Sequence, residues 1–393
     1  MGNNSIIFLA TYAYLAIPQY LSITPNLTNY TKILFNTRDL LSTKYDSKFI
    51  TQDIKKNYFD DFFELKDFSF NVKGPWKKYQ AFRRWKRAII LYMNQIFPQV
   101  VVSCSDQSMT DKIISSWCKK NKKAFIVLQP SFISGMHYKK YGISHKIRYL
   151  IFNKLLNLPR YRKQHLFGNE EHWTHLLLWS QYFIEDPKRP NMYFVGNPAF
   201  DVLFSQFTSK RTLKNNVLIC TQNIKAMVGK EAFDQVIDMY IQAINAKPDL
   251  TFYIKVHPRE SIEKYELLFP KDHFPNAKVV QEDNLYDLFR ISDVQISVSS
   301  YTSFEAVATG LPIIIVNPNN MFDFIDHFRQ EIEIKVTDLE KIAKAIDLAR
   351  SEHYWMEFVK KREKYFDYMV HSTDGKSGKR AAEKMEEIIN FSG

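Results

Sequence analysis

Cysteine is scarce in this sequence. The three that occur, Cys104, Cys118 and Cys220, have neither metal-ligand spacing nor the pattern of a disulfide framework. A disulfide-braced secreted scaffold is thereby excluded, and a reducing compartment is expected. Long apolar runs are missing as well: none reaches the roughly 18 to 20 residues needed to span a bilayer. The opening stretch "MGNNSIIFLATYAYLAIPQ" lacks a basic leader, and its apolar run is short and broken, so it does not read as a secretory signal. Repeats and low-complexity tracts are also absent. These absences point to a cytoplasmic protein.

Charge is present but unevenly placed. Of the net +12, residues 1–200 carry 29 Lys and Arg against 13 Asp and Glu, while the remainder carries 25 against 29. The first half is therefore expected to meet something anionic. Hydrophobic residues at 45% and charged residues at 24% describe a folded chain rather than a disordered one. The 393 residues suffice for two domains of ordinary size.

The coarse pattern is strand then helix, repeated, which predicts an α/β architecture. In the first half "SIIFLA", "KILFN", "QVVVSC", "AFIVLQ" and "HLLLWS" read as buried strands, with helices over 77–97 and 108–121. Near Tyr193 the text changes to "YFVGNPAFDVL" and a polar linker-like stretch. A second alternation follows: "NVLICTQN", a helix over 230–245, "TFYIKVHP", "AKVVQE", a helix over 285–291, "VQISVSS", a helix over 303–309 and "LPIIIVNP". This has the length of one Rossmann-like domain. From Leu339 to Asn390 the periodicity is helical. The expected divisions are 1–195, a basic acceptor-binding domain; 212–370, a nucleotide-binding domain; and 371–393, a terminal helix.

In an open parallel sheet, ligands bind at the carboxyl ends of the strands. His257-Pro258 and Ser299-Ser300 both lie at such ends. The helix after the second pair carries Tyr301, Thr302 and Ser303 in its first turn, where free backbone N–H groups and hydroxyls suit a phosphate. Glu305, one turn inside, can accept hydrogen bonds from a ribose diol. His257 can donate to the same phosphate, with Pro258 fixing the turn that aims it. A lone His-Pro is more often a plain turn, and Ser-Ser before a helix is usually a cap. The pair on successive strands is what carries the reading.

"KVHPRE" and "SVSSYTSFEAVATGLPIIIV" resemble the HP and SS motifs of bacterial GT-B glycosyltransferases that build surface polysaccharides, among them capsular sialyltransferases and Kdo transferases and, more distantly, CDP-glycerol polymerases. "LWSQYFIEDPKRPNMYFVGNPAFDVL" is similar to the interdomain segment of these enzymes and of UDP-sugar 2-epimerases, and "DGKSGKRAAEKM" to their closing helix. The resemblance covers roughly residues 175 to 390 and implies a GT-B fold, two Rossmann-like domains with a cleft between them. It places His257, Pro258, Ser299 and Ser300 on the donor phosphate, with Thr302 and Ser303 beside it. Glu305 falls on the ribose, and Thr221 and Gln222 fall in the loop closing the domain's first strand.

The general base stays open between Asp106, in "VVVSCSDQS", and the Glu170/Glu171 pair in "GNEEHW"; Asp39 and His137 are further contenders. With no DxD motif in a supporting context, metal-independent inversion is expected, with no cofactor beyond a nucleotide-sugar donor, preferably CMP-linked. The acid pair Asp60-Asp61 reads as part of a helix-like stretch. The expected acceptor is a glycan or glycolipid of capsule or lipopolysaccharide synthesis. A UDP-sugar 2-epimerase-like enzyme, a CDP-polyol or UDP-sugar transferase and a non-catalytic assembly subunit are the alternatives. The basic segments over 73–89, 119–123 and 146–164 are either solvated helix faces or docking sites for an anionic membrane, with Trp76 and Trp85 as interfacial anchors. No nucleic-acid motif accompanies the charge.

Overall fold

Every pairing between strands among the described residues is parallel, and parallel strands covered by helices on both faces must be apolar along their whole length. The sequence supplies this. The computed structural model describes residues 4–36, 49–65, 73–106, 108–130, 143–156, 174–180, 190–207, 211–227, 229–298, 300–320 and 331–392. Its first strands are β1 (Ser5–Leu9), β2 (Thr31–Asn36), β3 (Asp61–Glu64), β4 (Val100–Ser103), β5 (Ala124–Leu128), β6 (His175–Leu178) and β7 (Met192–Phe194). Each residue of β1, β4 and β5 is buried. The seven strands form one sheet in the order β3-β2-β1-β4-β5-β6-β7. The later strands are β8 (Asn216–Cys220), β9 (Thr251–Lys255), β10 (Ala277–Val280), β11 (Val294–Ser297), β12 (Ile313–Val316) and β13 (Ile334–Val336). They form a six-stranded sheet, β10-β9-β8-β11-β12-β13. Both orders reverse once, between β1 and β4 and between β8 and β11. That is the doubly wound Rossmann order, whose ligand crevice opens at the reversal.

Two compact units result: Met1–Asp201 with Tyr368–Gly393, and Val202–Asp367. In the first, α1 (Ala13–Ile23), α2 (Gln52–Tyr58), α3 (Pro75–Ile96), α4 (Met109–Lys120) and α5 (Ile143–Tyr149) flank the sheet; a short α6 (Asp201–Ser205) starts at the unit's last residue before the boundary and runs into the second. The second holds α7 (Ile224–Met227), α8 (Lys230–Ala246), α9 (Ile262–Leu268), α10 (Leu285–Ile291), α11 (Tyr301–Thr309) and α12 (Ile342–Arg350). The chain then runs through α13 (Glu352–Val370) into α14 (Ser377–Ser392).

The terminal helix, set apart in the sequence reading, is part of the first unit's core. Ala381, Ala382, Met385, Ile388 and Ile389 of α14 pack in one cluster with Ile6 and Phe8 of β1 and Ala16 and Tyr20 of α1. Its N-terminus is held by Asp201, whose carboxylate accepts the N–H groups of Ser377 (3.0 Å) and Gly378 (2.7 Å). A carboxylate at that end also complements the helix dipole. Gly378 lies so close to the Ser22 carbonyl that a Cβ there would collide with it.

Asp60 and Asp61, read as part of a helix-like stretch, instead lead into β3, which pairs with β2 at the sheet edge. Phe63 stacks on Tyr92 of α3 with ring centroids 3.7 Å apart, and this packing overrides the local pattern. Among the described residues, no helix is long and apolar enough to cross a membrane.

Candidate functional site

At the reversal in the second sheet, β11 ends at Ser297 and α11 starts at Tyr301. Ser300 is its N-cap, in extended backbone, and its Oγ accepts the Thr302 N–H at 3.2 Å. The Thr302 hydroxyl also donates to Ser300 Oγ (2.9 Å) and accepts from Gln295 Nε2 (2.9 Å). Ser300 thus has both acceptor positions filled, and its own O–H is the donor that remains. Ser303 differs from the expectation. It is fully buried, with its hydroxyl bonded to that of Ser297 at 2.6 Å, so it pins the helix to the strand instead of facing a phosphate. Ser299 lies outside the described residues.

The other end of α11 is clamped. Gly310 closes it at φ 87, against the Phe207 ring. Arg362 is buried with its guanidinium 3.8 Å from the centroid of the same ring, and it donates to the carbonyls of Val307 (2.8 Å) and Ala308 (2.5 Å). A cation on the last carbonyls satisfies groups the helix leaves open and matches its dipole.

On the neighbouring side of β8, the end of β9 forms a tight turn. Glu260 N–H donates to His257 O at 2.8 Å, which makes His257-Pro258-Arg259-Glu260 a β-turn with proline where the turn prefers it. Three side chains brace this turn. Thr221 Oγ1 accepts the His257 N–H (2.9 Å) and donates to Glu260 Oε2 (3.0 Å). Tyr265 Oη donates to the Glu260 carboxylate (3.0 Å), and Gln281 Nε2 donates to the carbonyls of His257 (3.1 Å) and Glu260 (2.8 Å). Thr221 is therefore a strut for the turn rather than a ligand-facing hydroxyl, while Gln222 beside it is partly buried.

The His257 ring has a defined proton position. Its Nδ1 accepts the Arg259 N–H at 3.1 Å, so the proton of the neutral ring sits on Nε2. Burial, with the Arg259 charge, lowers its pKa below the ordinary histidine value. The neutral ring is thus the working form at pH 7, presenting one N–H donor. Pro258 and Arg259 are exposed.

Cys220 and Thr221, adjacent at the end of β8, join the two halves of the site. Thr221 holds the His257 turn, and the Cys220 thiol lies beside the Gln295 and Thr302 side chains, the latter bonded to Ser300. Burial pushes the Cys220 thiol up to about 11, so it is an inert packing group. Glu305 is partly buried on α11 and accepts a hydrogen bond from Tyr286 Oη at 3.0 Å. Burial raises its pKa to about 7 against that bond.

In the first unit, Asp106 follows β4 at the sheet reversal, and its side chain is fully buried. An acid without exposed surface does not reach an acceptor hydroxyl in this conformation. Asp111, which the sequence reading passed over, is the better-defined acid nearby. It forms a capping box with Ser108 and accepts from Ser103 Oγ (2.8 Å) and Thr11 Oγ1 (3.4 Å), which ties β1, β4 and α4 together. Glu170, Glu171, Asp39 and His137 lie outside the described residues. Among the described residues, no cluster of His, Cys, Asp and Glu could hold a metal ion. On α3, Lys77, Arg83, Arg84 and Arg87 are exposed as expected for a basic face, as is Trp76, but Trp85 is buried in the core with Phe82. Trp85 is therefore no interfacial anchor.

No protein-family model and no curated protein matches the sequence. Solved structures do match in fold. The glycotransferase of kitacinnamycin aligns over 99% of this chain and 100% of its own, with a TM-score of 0.61 at 10% identity. UDP-GlcNAc 2-epimerase from Neisseria meningitidis aligns over 98% and 100%, with a TM-score of 0.61 at 12% identity. The wall teichoic acid polymerase TagF aligns over 100% and 90%, with a TM-score of 0.55 at 14% identity. The fold is thus the GT-B fold, with two Rossmann-like units in one chain.

Proposed function

We propose that this chain is a nucleotide-sugar-dependent glycosyltransferase acting by metal-independent inversion. The observation that carries the reading is the placement of two independently braced donor groups at the carboxyl ends of β9 and β11, the strands on either side of β8. One is the Nε2–H of His257; the other is the Ser300 hydroxyl at the N-terminus of α11. In the reaction, an acceptor hydroxyl loses its proton to a carboxylate and attacks the anomeric carbon. The bond from that carbon to the phosphate oxygen breaks, and the departing nucleotide carries the negative charge. His257, Ser300 and the α11 dipole meet that charge, the effect expected to contribute most in such sites. Glu305 receives the ribose hydroxyls. The base is drawn from Asp106, Glu170 and Glu171, with Asp106 needing a change of conformation to act.

The fold neighbours support a nucleotide-sugar ligand, one of them having been solved bound to UDP-GlcNAc. A CMP-linked acidic sugar is the preferred donor, and a surface glycan or glycolipid the preferred acceptor. The epimerase reading is the second candidate, because the epimerase shares the fold over its full length. Nucleotide release should be assayed across CMP-, CDP- and UDP-sugars with and without a lipid-extract acceptor, in EDTA and in magnesium. Acceptor-dependent release that is unchanged by EDTA is expected. Interconversion of the sugar with no acceptor present would instead make the chain an epimerase, and magnesium dependence would overturn the metal-free step.

A further inference from the structure

The stretch "KVHPRE" ends in a glutamate that the proposed reaction does not use. A charged side chain is rarely buried unless it is paired. That of Glu260 is 4% exposed, with Lys264 Nζ 3.6 Å from its Oε1. Thr221 Oγ1 donates to the same carboxylate from the end of β8 (3.0 Å), and Tyr265 Oη donates from α9 (3.0 Å). Lys264 is anchored in turn, its ammonium lying 3.6 Å from the centroid of the Phe233 ring on α8. One carboxylate thus ties together β8, α8 and α9.

What this carboxylate holds in place is His257. A carboxylate only accepts, so the Thr221 hydroxyl gives its one proton to Glu260 and offers its oxygen to the His257 N–H, which donates to it at 2.9 Å. The direction of the relay is therefore fixed, from His257 to Thr221 and from Thr221 to Glu260. The same residue reaches the histidine a second time through its backbone, because Glu260 N–H closes the turn on His257 O at 2.8 Å. Gln281 Nε2 reinforces that closure at both carbonyls. Inside the closed turn, Arg259 N–H meets His257 Nδ1 at 3.1 Å, and this contact lasts only while the turn keeps its shape. Glu260 sets the His257 backbone, and the backbone sets the ring.

We propose that Glu260 is a positioning residue: acting through Thr221, it keeps His257 Nδ1 on the Arg259 N–H and so holds the ring with its proton on Nε2. The inference rests on the role proposed for His257 in glycosyl transfer. Two variants break the relay at different points. Glu260→Ala removes the carboxylate, and Thr221→Val removes the hydroxyl while keeping the shape of the side chain. Each is made alone and together with His257→Ala, and kcat/KM for nucleotide release from the best donor of the panel above is compared in a double-mutant cycle. With His257 present, each variant should lower kcat/KM at least about tenfold, because a misplaced group at a reacting centre loses rate steeply. In the His257→Ala background the same changes should cost less than about twofold. Glu260→Gln, which keeps one acceptor oxygen, should recover part of the loss. Ring nitrogen NMR spectra read the placement without turnover, the His257 signals being assigned by their absence in His257→Ala. Wild type should show the Nε2–H form alone, and both relay variants a mixture of the two tautomers. An equal loss with and without His257 would make Glu260 a packing residue of α9 and overturn the proposal. Wild-type activity in Glu260→Ala would also overturn it, as would an unchanged tautomer in either variant or a mixture already in wild type. Should His257→Ala itself stay active, the reading of His257 as a participant falls, and the tautomer alone decides whether Glu260 positions it. Circular dichroism melts check folding; if Glu260→Ala does not fold, Thr221→Val and Glu260→Gln carry the test.

Discussion

A histidine whose Nδ1 is occupied by a backbone N–H can act only through Nε2, so His257 should be sensitive to what replaces that one donor. His257→Ala is expected to lower kcat/KM by at least about a hundredfold, with melting changed little, because the ring is not a core group. His257→Gln, which can restore an amide donor, should recover part of the loss. Activity above a tenth of wild type in the alanine variant would remove His257 from the chemistry. Glu305 makes a prediction in pH. Its folded pKa of about 7 lies above the ordinary 4.5, so the folded chain holds a proton there that the unfolded chain releases. The stability it contributes is complete below the unfolded value and is lost as pH rises through about 7. Glu305→Gln keeps the Tyr286 bond and should be the more stable protein above neutrality, by on the order of 3 kcal/mol, with the gain vanishing toward pH 4. Melting curves at a series of pH values decide it; a pH-independent difference would contradict the raised pKa. The sequence shows His257, Pro258 and Glu305 because each is an unusual residue at a strand end or one turn inside the helix that follows. It does not show that Thr221 braces the turn or that Ser303 faces inward, because those depend on which hydroxyl finds which partner across separate strands.

Helix α11 is short, and nine residues are too few to hold a helix without help from both ends. Ser300 caps one end; Gly310 and Arg362 close the other. Gly310→Ala would force a left-handed alanine and bring its Cβ within 2.7 Å of the Phe207 ring. A loss of more than about 2 kcal/mol in the second unit is expected, with weaker nucleotide binding, since the α11 N-terminus shifts with its C-terminus. Chemical denaturation and nucleotide titration measure the two effects, and a neutral substitution would show that the clamp is slack. Gly310 before Leu311-Pro312 was readable as a helix stop, and the apolar runs of β8, β11 and β12 as strands, because buried parallel strands announce themselves by composition. β3, with Asp61 and Glu64 at its ends, did not. An edge strand buried on one side has no such run, and the contact that decides it is a stack on Tyr92 about thirty residues away in sequence. In the same way, Phe82 and Trp85 interleave with arginines in the text, and only the 3.6-residue turn of α3 separates them into an inner apolar stripe and an outer basic one.

At the scale of the molecule, the first unit is built from two distant stretches of chain, and the second from one uninterrupted stretch, 202–367. Removing residues 377–392 would strip α14 from the cluster that it shares with β1 and α1 and leave Asp201 without its helix. Hydrogen exchange on such a truncation should show protection lost in β1, β2 and α1 and kept in β8, β9 and β11. Equal protection throughout would mean that α14 is an accessory. The alternation of strands and helices made two Rossmann-like layers legible in the text, but the return of the tail was not, because an amphipathic helix does not state which sheet it covers. The same discontinuity orders the birth of the protein. The stretch 202–367 is synthesised whole before α14, so the half encoded second is complete in sequence before the half encoded first. Until its last codons are read, the half encoded first waits with the apolar side chains of β1 and α1 uncovered, and it is the client on which chaperones would act.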